Sequence, residues 1–363
     1  MAKLPTVGSA FDSLGVTRRE LLRFSATAAA LLALPTTSVT ALADALVRAR
    51  RPSVIWLSFQ ECTGCTESLT RAHAPTIEEL ILQLISLDYH HTLQAASGQA
   101  AEEARKAAMA ENFGRYILVV DGALPLDHPE YSTIAGIDNR TMLEESAKGA
   151  AAVIAVGSCA SFGGLPAAQP NPTGAVPVSA IVTDKPLLHL PGCPPIPAVI
   201  SAVVAHFLTF STLPELDGQL RPKAFYGETI HDRCYRRPFY DQGLFAESFD
   251  DEGARQGWCL FKLGCKGPTT YNACATLRWN HGTSFPIQSG HGCLGCSEAR
   301  FWDAGDFYKP ISTPIEPVDQ VMRAAAVGGA GVGGALIGNN LRQRRQAEKA
   351  HQPVGIDDLE KES

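Results

Sequence analysis

SVIWLSFQECTGCTES, residues 53–68, joins an apolar run to two cysteines three positions apart. The run SVIWLSF (53–59) is short, β-branched and aromatic, and reads as a strand buried on both faces. Three more runs share this character: RYILVVDG (115–122), AAVIAVGS (151–158) and PLLHLPG (186–192). Helical periodicity separates them, notably in TIEELILQLI (76–85) and NRTMLEESAKGA (139–150). A further helix, IPAVISAVVAHFL (196–208), closes the series near residue 220. Strand–helix alternation predicts an α/β fold with a doubly wound parallel sheet, spanning 46–224.

From about residue 225 the pattern changes. Long periodic runs give way to aromatic, Gly- and Cys-rich sequence, and six of the ten cysteines fall between 234 and 296. A segment so poor in regular structure needs another source of stability, which bound clusters supply. A second, smaller and irregular iron–sulfur domain is therefore expected over 225–315.

The ends of the chain read differently. Residues 1–45 carry the paired Arg18 and Arg19, the apolar run FSATAAALLAL and the small-residue stretch ALADA. A basic region, a short apolar region and an A-x-A site describe a signal peptide, here of twin-arginine type with cleavage expected at Ala41-Leu42-Ala43, Ala45 being the runner-up and an amphipathic N-terminal helix the alternative. Proteins exported by that route are folded first, so thiols loaded with metal beforehand need not become disulfides. Residues 316–363 hold the glycine-rich AAAVGGAGVGGALIG (324–338) and the basic LRQRR (341–345). As a helix the apolar part reaches about 22 Å, short of the roughly 30 Å hydrocarbon core, so a peripheral membrane or helix-packing role over 324–345, or a flexible tail, is favoured over a span. The formal net charge of −6 and the lack of basic blocks give no nucleic-acid footprint.

Cys62, Cys65, Cys159 and Cys193 each follow the end of a predicted strand, so three strand ends deliver four thiols to one sheet edge. Ligands bind at that edge of open parallel sheets. Gly157 and Gly192 allow the backbone close to a bulky group. Four thiolates suit a 4Fe–4S cluster. A Cys₄ zinc site and a Cys62–Cys65 disulfide are the alternatives the spacing leaves open. The later segment offers two further sets. His231, Cys234, Cys259 and Cys265 supply one nitrogen and three sulfurs. Cys274, Cys293 and Cys296 supply three sulfurs, as a 3Fe–4S cluster needs. His291, in GHGCLGC, reads as a neighbour of the ligands.

These motifs resemble a known family, the small subunit of exported, uptake-type nickel–iron hydrogenases. The resemblance rests on ECTGCTES (61–68), GSCASFGG (157–164), LPGCPP (190–195), HDRC (231–234), CLFKLGCKGP (259–268), TYNAC (270–274) and GHGCLGC (290–296). It implies a flavodoxin-like domain with a proximal 4Fe–4S cluster on Cys62, Cys65, Cys159 and Cys193. It implies a medial 3Fe–4S cluster on Cys274, Cys293 and Cys296, with Pro286 at the missing corner. A distal 4Fe–4S cluster would sit on His231, Cys234, Cys259 and Cys265. The nickel–iron centre would lie in a separate large subunit, and a cytochrome or similar acceptor would take the electrons. Glu61 and Glu67, flanking the first cysteine pair, are candidate proton carriers, with a solvated or helix-start role as the alternative. Oxygen-tolerant members carry extra cysteines at places that correspond here to Gly64 and Gly164, which implies an ordinary proximal cluster. The competing function is a stand-alone exported ferredoxin-like carrier. A sulfide- or quinone-linked reductase subunit is a third reading, set apart by the absence of any flavin or dinucleotide fingerprint: no GxGxxG follows the first strand.

Overall fold

The computed structural model describes residues 17–31, 37–48, 51–73 and 75–311, together with positions 7 and 35. They form two compact units assembled from separated stretches. The first takes Met1–Glu228, Tyr271–Thr283 and Cys296–Ala304. The second takes Thr229–Thr270, Ser284–Gly295 and the chain from Gly305.

Among the described residues, the first unit is built on five parallel strands: β1 (Ser53–Ser58), β2 (Ser86–His90), β3 (Tyr116–Asp121), β4 (Ala150–Val156) and β5 (Leu187–Leu190). Their order is β2-β1-β3-β4-β5, every pair parallel. This is a doubly wound order whose winding reverses between β1 and β3, the place where such sheets bind ligands. Strands β1, β3 and β4 are buried along almost their whole length, which explains their continuous apolar sequence. Ile55, Leu57, Leu118, Val120, Met142 and Val153 belong to the core over one sheet face.

The longer helices of this unit are α1 (Arg18–Leu31), α2 (Ser38–Arg48), α3 (Gly64–Thr70), α4 (Gly98–Glu111), α5 (Asn139–Ala147), α6 (Gly157–Phe162) and α7 (Pro197–Phe210). The Asp138 side chain caps α5 by accepting from the Thr141 N–H at 2.9 Å. Helix α7 opens on Pro197, whose missing N–H costs nothing in a first turn. The expected helix over 76–85 is present in altered form. A Thr76–Glu79 capping box starts a single turn, which passes into a π-helical turn over Leu80–Leu84 and then into β2.

Helices α1 and α2 lie in the described part of the predicted leader, α2 running on to Arg48. Ala29 and Leu42 are buried there, with Leu21, Val39 and Leu208 of α7 packed against them. The predicted tail segment 316–363, with its glycine-rich and basic runs, lies outside the described residues. No described helix is long and apolar enough to cross a membrane.

The second unit has little regular structure. Its ordered pieces are single turns at His231–Arg233, Phe261–Leu263 and Gly267–Thr269 and short helices at Arg237–Asp241 and Glu252–Arg255. Its apolar cluster is Phe239, Tyr240 and Cys259, with Leu244, Phe245, Trp258 and Phe261 around them. A cysteine is thus part of the core.

Candidate metal centres

In the first unit, Cys62 and Cys65 follow β1 at the start of α3, Cys159 stands in α6 directly after β4, and Cys193 follows β5. Side-chain and backbone bonds lock these segments together. The Ser158 N–H donates to the Gly192 carbonyl at 2.9 Å, while the Gly192 N–H donates to Ser158 Oγ at 3.0 Å. Ser68 Oγ of α3 donates to the Pro195 carbonyl at 2.6 Å. The sequence thus brings the Cys65 helix, the Cys159 helix and the Cys193 loop to one sheet edge.

All ten cysteines are free thiols. Burial pushes Cys65 well above the ordinary thiol range, with the charges of Asp121, Cys159 and Cys193 adding to it. Burial likewise raises Cys159 to about 11, reinforced by Asp121 and Cys62. Cys193, open to solvent on one side, is raised to about 12 by burial and then by Cys296, Cys159 and Cys62. Cys65, Cys159 and Cys193 each feel others of the set, so thiolates gathered here demand a strongly cationic guest.

Glycine clears the space. A Cβ on Gly157, at φ +85°, would lie 2.4 Å from Cys65 Sγ. On Gly64 it would lie 3.1 Å from Cys62 Sγ, and on Gly164 2.6 Å from Cys159 Sγ. Gly192 serves a different purpose from the one expected, since its Cβ would strike the backbone of Pro194 and Pro195. It makes the turn carrying Cys193.

Asp121, at the end of β3, went unnoticed in the sequence. It is 1% exposed, and neither carboxylate oxygen has a hydrogen-bond partner. Burial, then the charge of Glu61, raises its acid to about 8. Glu61 is also raised by burial; its Oε1 accepts from Thr63 at 3.4 Å, while Oε2 is buried without a partner. Glu67 is exposed and pairs with Arg71 one helical turn on, at 2.6 Å. The signal for Asp121 was a lone acid ending an apolar run, VVDG.

The second unit contains a recess lined by His231, Cys234, Cys259 and Cys265, together with Arg236 and Arg237. These four are the predicted nitrogen-and-three-sulfur set. Reciprocal bonds between Thr229 and Asp232 shape the turn that presents His231 and Cys234. Burial, then the Arg237 charge, lowers the His231 imidazole, which favours the neutral form that ligates metal. Arg236 is 7% exposed, donating from Nε to Tyr235 Oη at 2.7 Å and from Nη1 to the Trp258 carbonyl at 2.8 Å. Its charge opposes burial at Cys234, Cys259 and Cys265 alike. Three thiols, an imidazole and a buried cation lining one recess fit an anionic cluster.

The third predicted set is divided. Cys274 and Cys296 belong to the first unit and Cys293 to the second. Burial, then the charge of Cys296, raises Cys274 to about 12, so those two are neighbours. Cys293 is buried and accepts the Gly295 N–H at 3.4 Å. Pro286 is exposed between the buried Phe285 and Ile287. The His291 ring stacks on Phe249 and meets Tyr308 edge-on. Among the described residues, no three His, Cys, Asp or Glu side chains are spaced to hold a single metal ion.

The chain is similar to known proteins along most of its length. Residues 226–309 match the family that describes the C-terminal part of the NiFe/NiFeSe hydrogenase small subunit, and residues 62–207 match NADH ubiquinone oxidoreductase, 20 Kd subunit. The uptake hydrogenase small subunit of Azotobacter vinelandii is 47% identical over 358 residues, 97% of this chain and 100% of the relative. The hydrogenase-1 small chain of Citrobacter freundii is 52% identical over 300 residues, 82% of this chain and 80% of the relative. The reduced, active Ni-Fe-Se hydrogenase of Desulfomicrobium baculatum superposes with a TM-score of 0.68 at 35% identity, covering 72% of this chain and 100% of that one. With near-complete coverage at this identity, and cysteines where the motifs require them, the chain belongs to the nickel–iron hydrogenase small-subunit family.

Proposed function

We propose that this chain is the electron-transfer subunit of an exported hydrogenase, relaying electrons from H₂ oxidation in its large subunit to an external acceptor. The observation that carries the proposal is the convergence of Cys62, Cys65, Cys159 and Cys193 at the switch-point edge of the sheet. In this reading they hold a proximal 4Fe–4S cluster, Cys274, Cys293 and Cys296 a medial 3Fe–4S cluster, and His231, Cys234, Cys259 and Cys265 a distal 4Fe–4S cluster. Bound there, the clusters supply one-electron storage at potentials set by charge, hydrogen bonds and exposure.

The chain's own residues set the order of events. Cys62 and Cys193 are the exposed members of their set, which suits delivery of electrons from the partner's side. Ser158 and Ser68 hold the cysteine-bearing segments in register, while Asp121 places an acid in a water-poor pocket beside Cys65. At the other end Arg236 stabilises added negative charge on three thiolates, and a neutral His231 ligand does the same. Both favour the electron's arrival at the distal set. Export through the 1–45 leader to the periplasm, peripheral membrane contact through 324–345 and a cytochrome acceptor complete the proposal.

The test is purification from cells that also express the large subunit. The chain should co-purify with a nickel-bearing partner, and H₂ should reduce an artificial dye only in that complex. A monomer that carries clusters and binds no such partner would favour the stand-alone carrier.

A further inference from the structure

Cys265 and Cys293 meet within the second unit. The Cys293 N–H donates to Cys265 Sγ at 3.3 Å, and the Lys266 N–H donates back to the Cys293 carbonyl at 2.7 Å. The two bonds fix residue 293 against residues 265 and 266. Thr270 Oγ1 holds the Lys266 carbonyl at 2.7 Å from the other side. Gly267 gives a second N–H to the same sulfur at 3.4 Å. Both cysteines are buried, at 7% and 6% exposure, so no water competes for the contact.

Gly292 makes the approach possible. A Cβ there would stand 2.9 Å from Cys265 Cα and 3.0 Å from its Cβ. Closeness is what excludes a larger residue at this position.

We propose that the Cys293 N–H···Sγ Cys265 hydrogen bond is the electronic bridge between the medial and distal ligand sets. This rests on the cluster assignment above, which gives Cys293 to one set and Cys265 to the other. The path runs from Cys293 Sγ through its Cβ, Cα and N to the amide hydrogen and on to Cys265 Sγ. One electron leaves the medial side and one arrives on the distal side. The proton stays on the amide nitrogen, a far stronger base than the thiolate once deprotonated. The same N–H stabilises negative charge on Cys265, so the bridge also raises the potential of the receiving side.

In the first unit the segment carrying Cys193, a proximal ligand, is likewise tied to Cys296, a medial one. Ser158 Oγ, which accepts from the Gly192 N–H, donates in turn to the Cys296 carbonyl.

The test compares the unmutated complex with Gly292→Ala and, as a control, the exposed Ser289→Ala. Iron content and EPR come first. An unmutated complex without a three-iron signal would overturn the cluster assignment and the bridge with it. With the clusters present, Gly292→Ala should lower the distal midpoint potential by about tenfold in the equilibrium, about 59 mV for one electron. It should also weaken the magnetic coupling between the medial and distal signals, with Ser289→Ala unchanged. Unaltered potential and coupling would overturn the bridge alone. If Gly292→Ala fails to retain clusters, the unmutated complex labelled with ¹⁵N-cysteine decides by pulsed EPR. A ¹⁵N coupling on the distal signal is expected, and its absence would refute the bridge.

Discussion

Replacing Gly157 by alanine tests whether the first cysteine set was shaped around a guest. Gly157 has φ +85°, and an added Cβ would lie 2.4 Å from Cys65 Sγ and 3.9 Å from Asp121 Oδ1. Two costs follow. A Cβ in left-handed backbone costs roughly 1–2 kcal/mol. Forcing a methyl into filled space adds about 1–3 kcal/mol, because the crowded atom is a sulfur on an anchored segment. Gly136→Ala separates these effects, since φ there is +79° but nothing lies within 4 Å. Gly157→Ala should therefore be less stable than Gly136→Ala by about 1–3 kcal/mol in denaturant titrations. It should also lose iron while Gly136→Ala keeps a full complement. Equal stabilities and equal iron contents would refute the reasoning.

Three other substitutions probe separate parts of the account. Asp121 holds its proton in the fold up to about pH 8, against an ordinary value of 3.8. Its contribution to the stability of the metal-free chain is thus full below about pH 4 and lost as pH rises through about 8, so Asp121→Asn should flatten that decline in melts across the range. Arg105 is fully buried and binds Glu102, Glu145 and Ser146, so Arg105→Met should strand buried acceptors and cost about 3 kcal/mol in thermal unfolding, Glu145 being partly exposed. Arg236→Met removes the buried cation of the second-unit recess and should shift the distal midpoint potential downward in an EPR-monitored redox titration, with Arg236→Lys restoring part of it.

Much of this was legible in the sequence, for physical reasons. Strands β1, β3, β4 and β5 are buried, so their apolar runs stood out. Strand β2, SLDYH, did not. It is an edge strand whose polar residues are satisfied locally, Ser53 and Ser86 both donating to Asp88. Helix α4 also escaped notice, because its alanine-rich face carries few large apolar residues and buries an arginine instead. The cysteine motifs and the glycines beside them were visible as local order. What local order cannot display is partnership across distance. Asp121 is notable for the donors it lacks, Arg236 for the thiols of Cys259 and Cys265 brought from later segments, and Cys293 for a sulfur 28 residues away.

The central claim is that this chain carries three iron–sulfur clusters on eleven named side chains. Metal analysis combined with EPR on the purified complex tests it most directly. Two four-iron clusters and one three-iron cluster predict about eleven iron atoms in this chain, a three-iron signal in the oxidised state and four-iron signals on reduction by H₂. Zinc in place of iron, or iron without any three-iron signal, would contradict the account.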